Sequence, residues 1–279
     1  MTYIQYCIHC NIICCALGIG YEVVRQLATT DPSLTVLLGS RSIENGHNAV
    51  NQLIKQYSFK NIQSIQLDVT NNLSIKQCTD TIYKKYNRLD VLVNNAGILA
   101  TKTDEVSKQI SSDTIRTNFY GTLHTIVALH SLIQPNARIV NMSSSISWMC
   151  YNKLSRSLQS QLSNPHITQT QLCDLLDSFT NQSDNRAELQ QSGWYPNAYG
   201  ISKIGVNILT RILARDNIIN GVTYNAVHPG YVKTNMTAHG NPIITPEHGA
   251  ETVLAAVLQP VDNAVTGQYW QHRRPYKPC

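Results

Sequence analysis

Leu89-Asp90-Val91-Leu92-Val93-Asn94-Asn95-Ala96-Gly97 decides how this chain folds. The run is nearly all apolar and stops abruptly at two asparagines and a glycine. A strand that is apolar on both faces must be covered on both, which is the setting of a parallel sheet. Four more runs follow the same rule. Leu34 to Leu38 is leucine-rich and β-branched, and Ile62 to Leu67 ends at Asp68. Arg138 to Met142 ends in Ser143-Ser144, and Val222 to Val227 ends at His228-Pro229-Gly230.

Longer amphipathic stretches separate these runs. Ile115, Phe119, Leu123, Ile126, Val127, His130 and Ile133 are spaced to place one stripe on one helix face. Gly205, Ile208, Leu209 and Ile212 continue a similar face after Tyr199. Alternating strands and helices predict an α/β fold with a doubly wound parallel sheet of the Rossmann type. Ligands of such sheets sit beyond the carboxyl ends of the strands. The rhythm breaks between Trp148 and Trp194, where no strand-like run occurs. Leu172, Leu175, Leu176 and Phe179 have helical spacing there, and Thr168 with Gln171 reads as a capping box. We expect one domain over residues 1–279, with residues 148–194 as a helical insertion before the Tyr199 helix.

The composition is that of an ordinary globular protein: 279 residues, 42% hydrophobic and 14% charged, which excludes a disordered chain. A net charge of +5 without a long basic run gives no reason to expect a nucleic-acid partner. Cys7, Cys10, Cys14 and Cys15 crowd the start, while Cys78, Cys150, Cys173 and Cys279 are scattered. A chain with a full core needs no staples, so the thiols read as free and the compartment as reducing. Cys7-x-x-Cys10 has half the ligands of a zinc site and no second half at suitable distance, so no metal is expected. The segment from Tyr3 to Tyr21 is too polar for a membrane span and lacks a basic start, which leaves the cytoplasm as the expected location.

Polar residues gather where the strands end. Tyr199 and Lys203 are four apart, on one face of a helix. A fixed ammonium favours a phenolate, so the lysine is expected to lower the tyrosine's pKa toward neutrality, where a general acid works. Ser144 follows a strand, where its hydroxyl can reach a carbonyl oxygen. Asn118 lies in an otherwise apolar helix and can equally be satisfied by local backbone.

In order, type and context, Asp68, Asn94-Asn95-Ala96-Gly97, Asn118, Ser144, Tyr199-x-x-x-Lys203 and Pro229-Gly230 resemble the short-chain dehydrogenase/reductase superfamily. The match runs from about Gly18 to Trp270. It is strongest to the monomeric NADPH-dependent carbonyl reductases, which share the long separation of serine and tyrosine, here 55 positions. They also have counterparts of Thr117-Asn118-Phe119, Ala198-Tyr199-Gly200 and Pro229-Gly230-Tyr231-Val232-Lys233-Thr234.

The resemblance implies reduction of ketones, aldehydes or quinones by hydride transfer from NADPH. It implies that Tyr199 gives the proton, Ser144 orients the carbonyl, Lys203 also binds the nicotinamide ribose, and Asn118 supports a water-borne proton relay. Gly18, Ile19, Gly20, Asp68, Val69, Asn95, Ala96, Gly97, Pro229, Gly230, Val232 and Thr234 would line the cofactor, with Tyr231 in the substrate pocket. It also implies a monomer, with the insertion covering the tyrosine helix. Cofactor choice is legible at Leu38-Gly39-Ser40-Arg41. No acid stands there to bind ribose hydroxyls, and Arg41 offers a fork for a 2′-phosphate.

The glycine loop departs from the family's pattern Thr-Gly-x-x-x-Gly-x-Gly. Ile13-Cys14-Cys15-Ala16-Leu17-Gly18-Ile19-Gly20 keeps only Gly18 and Gly20, and Ala16-Leu17 stand where carbonyl reductases have Asn-Lys. A side chain at position 14 crowds the approach of backbone to pyrophosphate. The loop leaves two readings open: an enzyme with an altered start, or a cofactor-impaired scaffold or binding protein of the same fold.

Overall fold

A computed structural model describes residues 10–14, 18–100, 106–238 and 240–276. The Leu89 run forms β4 (Leu89–Asn94), buried along its whole length as a doubly covered strand requires. Parallel neighbours flank it. On one side lie β1 (Cys10–Cys14), β2 (Thr35–Ser40) and β3 (Ile62–Gln66). On the other lie β5 (Ile133–Met142), β6 (Thr223–Val227) and β7 (Tyr269–Gln271). A last antiparallel strand, β8 (Arg274–Tyr276), closes the order β3-β2-β1-β4-β5-β6-β7-β8. This is the doubly wound α/β sheet that the alternation foretells. Connections wind outward in both directions from the β1/β4 boundary, which opens a crevice at the carboxyl ends there.

Helices cover both faces. α1 (Gly18–Thr30) and α2 (Ile43–Tyr57) pack on one face beside β1 and β2, and α3 (Asn72–Lys85) lies on the other. The long stripe expected from Ile115 to Ile133 is not one α-helix. α4 (Lys108–Ile115) widens into a π-helical segment (Arg116–Tyr120), resumes as α5 (Gly121–Leu129), and tightens into a 3-10 turn before β5. The extra residue in the π turn rotates the turns beyond it, and Val127 of the expected stripe is 58% exposed.

Between β5 and β6 come α6 (Ile146–Tyr151), α7 (Arg156–Ser163), α8 (Gln169–Gln182), α9 (Arg186–Gln191) and α10 (Ala198–Asp216). Thr168 caps α8 in a reciprocal capping box with Gln171. Leu172, Leu176 and Phe179 of α8 join Phe119, Ile204 and Ile208 in one buried cluster, so the insertion packs onto α10. Burial of one such leucine is worth about 2–5 kcal/mol by the loss expected on truncation to alanine. α11 (Pro246–Val257) packs against α1. No helix among the described residues is long and apolar enough to cross a membrane.

β1 forms from a segment that reads poorly as a strand. Its backbone pairs with both β2 and β4, so its neighbours impose what local propensity does not. Cys7, Cys15, Ala16, Leu17 and Cys279 lie outside the described residues, and with them the middle of the altered glycine loop.

Candidate active site

α10 places two of the expected residues. Asn197 caps it, its side chain accepting the Gly200 N–H at 2.7 Å, which fixes the first turn. One turn apart, Tyr199 and Lys203 face the end of β5. Lys203 is buried and donates to the Met142 carbonyl at 2.7 Å, with its ammonium 5.7 Å from the centre of the Tyr199 ring. Ser144, two residues beyond Met142, lies close enough to the Tyr199 phenol for its hydroxyl to lower the phenol's pKa. Three residues from two distant parts of the chain thus meet at one point.

Burial pushes the Tyr199 phenol up to about 12, against the pull of the Ser144 hydroxyl. Burial also pushes the Lys203 ammonium down to about 8. The Lys203 cation lies over the ring and is directed at a backbone carbonyl, and burial is the largest influence on the phenol.

Asn118 is buried in the π segment, and its amide is committed on both sides. Its Oδ1 accepts the Ile98 N–H at 2.8 Å, while its Nδ2 donates to the Ile98 carbonyl and the Ser202 hydroxyl, each at 3.0 Å. The partners are distant in sequence, so the side chain brackets the segment after β4 against α10. The π turn rotates Asn118 into that place. These bonds engage both Nδ2 hydrogens and one lone pair of Oδ1.

A cavity of about 870 Å³ opens at the carboxyl ends of β1 to β4, the predicted crevice. Gly18, Arg41, Asp68, Val69, Ala96 and Gly97 line it. Gly18 takes φ +63°, a left-handed turn into α1 that other residues resist, and Ile19 and Gly20 follow it in the helix. Asp68 accepts two hydrogen bonds from Thr70, from its N–H at 2.9 Å and its hydroxyl at 2.7 Å. Asn95 stands at the β4 exit, its N–H directed back to the Val93 carbonyl at 3.1 Å.

The loop after β6 closes from above. Gly230 takes φ +92°, and Thr234 approaches α1 so closely that a Cβ on Gly18 would lie 3.2 Å from its methyl. Pro229 precedes this turn. Val232 is buried and pairs through its backbone with Ile244, so the cofactor role expected of it can fall only to its main chain. Tyr231 is half exposed, its hydroxyl packed over Gly240.

Several cavity residues escaped the sequence reading: Ser42, Asn45, Thr70 and Arg116. Ser42 is legible as the N-cap of α2, its hydroxyl accepting the Asn45 N–H at 3.2 Å. Thr70 had a signal too, two residues after Asp68 where an Asx turn closes. Arg116 had none, since its ion pair with Asp113 at 2.9 Å is an ordinary surface contact in sequence.

The arrangement matches known proteins closely. A family model described as short chain dehydrogenase matches residues 9–156, and one described as enoyl-(acyl carrier protein) reductase matches residues 186–266. Carbonyl reductase (NADPH) 1 of Mus musculus is 36% identical over 263 residues, 92% of this chain and 93% of that protein. The Bos taurus protein of the same name is 38% identical over 256 residues, covering 88% of each. Among solved structures, salutaridine reductase from Papaver somniferum superposes with a TM-score of 0.83 at 26% identity, over 94% of this chain and 99% of that one. Menthone neomenthol reductase from Mentha piperita gives 0.78 at 25%, over 94% and 98%. The chain belongs to the short-chain dehydrogenase family.

Proposed function

We propose that the chain is an NADPH-dependent carbonyl reductase acting on ketones, aldehydes or quinones, with Tyr199 as its general acid. One observation carries the reading: Ser144, Tyr199 and Lys203 converge beside the Asn118 bracket. The resemblance to the NADPH carbonyl reductases supports it. The cavity fits a dinucleotide in size and place, since backbone at Gly18 and Gly97 leaves its floor open and Arg41 stands at one end. NADPH supplies the hydride when bound.

The protein's own residues do the rest. Gly18 and the α1 N-terminus face the diphosphate. Asp68 and Val69 border the adenine. Asn95, Ala96, Gly97, Pro229, Gly230, Val232 and Thr234 enclose the nicotinamide half. Ser144 donates to the carbonyl oxygen and orients it, and Tyr199 gives that oxygen its proton. Lys203 holds the ribose hydroxyls and keeps a positive charge behind the phenol as it loses its proton. Tyr231 borders the substrate. Asn118 holds the floor rigid. Purified protein should consume NADPH in the presence of menadione, followed by loss of NADPH absorbance. A protein that binds NADPH without turnover, or does not bind it, is the scaffold of the alternative reading and overturns this one.

Arg41 and Ser42 sit at the exit of β2, where a 2′-phosphate would lie. Arg41→Ala should weaken NADPH by roughly tenfold to a hundredfold, the loss of a charge-assisted hydrogen bond. NADH should weaken little. Equal weakening of both, measured by cofactor fluorescence, would show that Arg41 does not read the phosphate.

The same reading makes the enzyme a cytoplasmic monomer. α8 lies against α10 and buries its apolar face within the chain. Light scattering over a range of concentrations should return the 31.2 kDa of one chain. A stable dimer at every concentration would remove the shielding role of the insertion.

A further inference from the structure

Tyr199, Lys203 and Asn207 recur every four residues along α10 and form one face. Each touches the strand-to-helix passage from β5 into α6. Tyr199 faces the Ser144 hydroxyl, Lys203 bonds the Met142 carbonyl, and the Asn207 amide donates to the Ser147 hydroxyl at 3.0 Å. The third contact does not end at Ser147. That hydroxyl donates in turn to the Ser144 carbonyl at 2.6 Å, and the Ser147 N–H reaches the same oxygen at 3.1 Å. Asn207 is thus wired to the peptide of the serine that orients the substrate, eight residues from the tyrosine that protonates it. Its own Oδ1 is buried without a hydrogen-bond partner.

A second contact lies farther along α6. A Cβ on Gly200 would stand 2.2 Å from the Cys150 sulfur and 2.9 Å from its Cβ, with the Asn197 cap oxygen at 3.1 Å. Cys150 is buried, so the sulfur has no room to swing away. Gly200 is the immediate neighbour of Tyr199. The absence of a side chain there lets α6 come down onto the first turn of α10.

We propose that Ser147 and Cys150 of α6, with Asn207 and Gly200 of α10, are positioning residues that set the separation and direction of the Ser144 hydroxyl relative to Tyr199. The proposal rests on the carbonyl reductase reading, because it assigns those two residues their roles. The clamp acts at two points on the same pair of helices. One is a hydrogen-bonded strut from Asn207 through Ser147 to the Ser144 peptide, and the other is a steric stop between Cys150 and Gly200. None of the four touches the substrate in this scheme. Their effect falls on the rate of the chemical step and not on cofactor affinity.

Ser147→Ala and Asn207→Ala remove the strut, and Ser147→Thr keeps the hydroxyl. Each alanine variant should lose on the order of tenfold to a hundredfold in kcat, the scale of a misplacement under an ångström or so. NADPH affinity and Tm should be nearly unchanged, and Ser147→Thr should stay within about threefold of the parent. Gly200→Ala should fall at least as far, and Cys150→Gly in the same chain should restore part of the loss by emptying the space the new methyl needs.

An independent readout needs no turnover. With ring-labelled tyrosine, the Tyr199 Cζ resonance, identified by its absence in Tyr199→Phe, should shift in the two alanine variants as the Ser144 hydroxyl moves. Unchanged kcat and an unmoved resonance would overturn the clamp. A loss of kcat that only tracks a fall in Tm, with no rescue by Cys150→Gly, would do so too. If the unmodified protein does not turn over NADPH, the carbonyl reductase reading falls, and the resonance alone decides whether the clamp sets the tyrosine.

Discussion

Tyr199→Phe should lower turnover of NADPH with menadione by roughly a hundredfold to ten-thousandfold, the usual contribution of a positioned general acid. The fold should survive. The ring stays in its place between Ser144 and Lys203, and only one hydroxyl leaves, which faces Ser144. Since the phenol's pKa is pushed up to about 12, Tyr199 is protonated throughout the neutral range and begins as an acid. Burial favours the neutral phenol, and the loss of its proton is the step that must be made easier. Lys203, whose own pKa of about 8 leaves it mostly charged at neutral pH, supplies a nearby positive charge for the phenolate that forms. Turnover in Tyr199→Phe equal to that of the parent would mean that the proton comes from elsewhere. Loss of NADPH binding in the same variant would mean that the tyrosine holds the cofactor more than it serves the chemistry.

The architecture was legible because its strands carry the pattern that double burial demands. Leu89 to Val93 is apolar on both faces and becomes β4, buried at every position. Tyr199 and Lys203 were legible because helical spacing alone puts them on one face, and Ser144 because it follows a strand. Three features were not. β7 and β8 are three residues each, too short for any periodicity to show, although Tyr269 and Trp270 of β7 are buried. The π turn at Arg116–Tyr120 adds one residue to a helix whose apolar spacing looks regular, so the exposure of Val127 could not be foreseen. β1 owes its form to pairing with β2 and β4, which no local propensity reports. The burial of Tyr199 and Lys203 was not legible for a related reason. Four-residue spacing says that a lysine is near a tyrosine, and says nothing of the Met142 carbonyl that draws its ammonium.

Lys203→Met should separate function from stability at the same site. The ammonium is buried and its pKa falls from an ordinary 10.5 to about 8. A lysine whose folded pKa is depressed destabilises the fold wherever it is charged. The penalty is complete below about pH 8, shrinks as pH rises from about 8 to 10.5, and is absent above that. The shift corresponds to about 3 kcal/mol at neutral pH. Methionine fills a similar volume without charge, so it removes this penalty. It also leaves the Met142 carbonyl without its donor, a loss of about 1–3 kcal/mol. The net effect is between about zero and 2 kcal/mol of added stability, or a Tm equal to the parent's or higher by up to several degrees. The advantage should fade when both proteins are unfolded at progressively more alkaline pH, because the parent regains there the stability that burial of the charge costs it. Turnover should move the other way, by at least about a hundredfold, since the variant cannot stabilise the phenolate or hold a ribose. A variant that is markedly less stable at pH 7 would show that the Met142 hydrogen bond outweighs the buried charge. A stable variant with undiminished turnover would remove Lys203 from the chemistry. Parity or gain in stability together with loss of turnover is the pattern expected of a charge retained for catalysis against the preference of the fold.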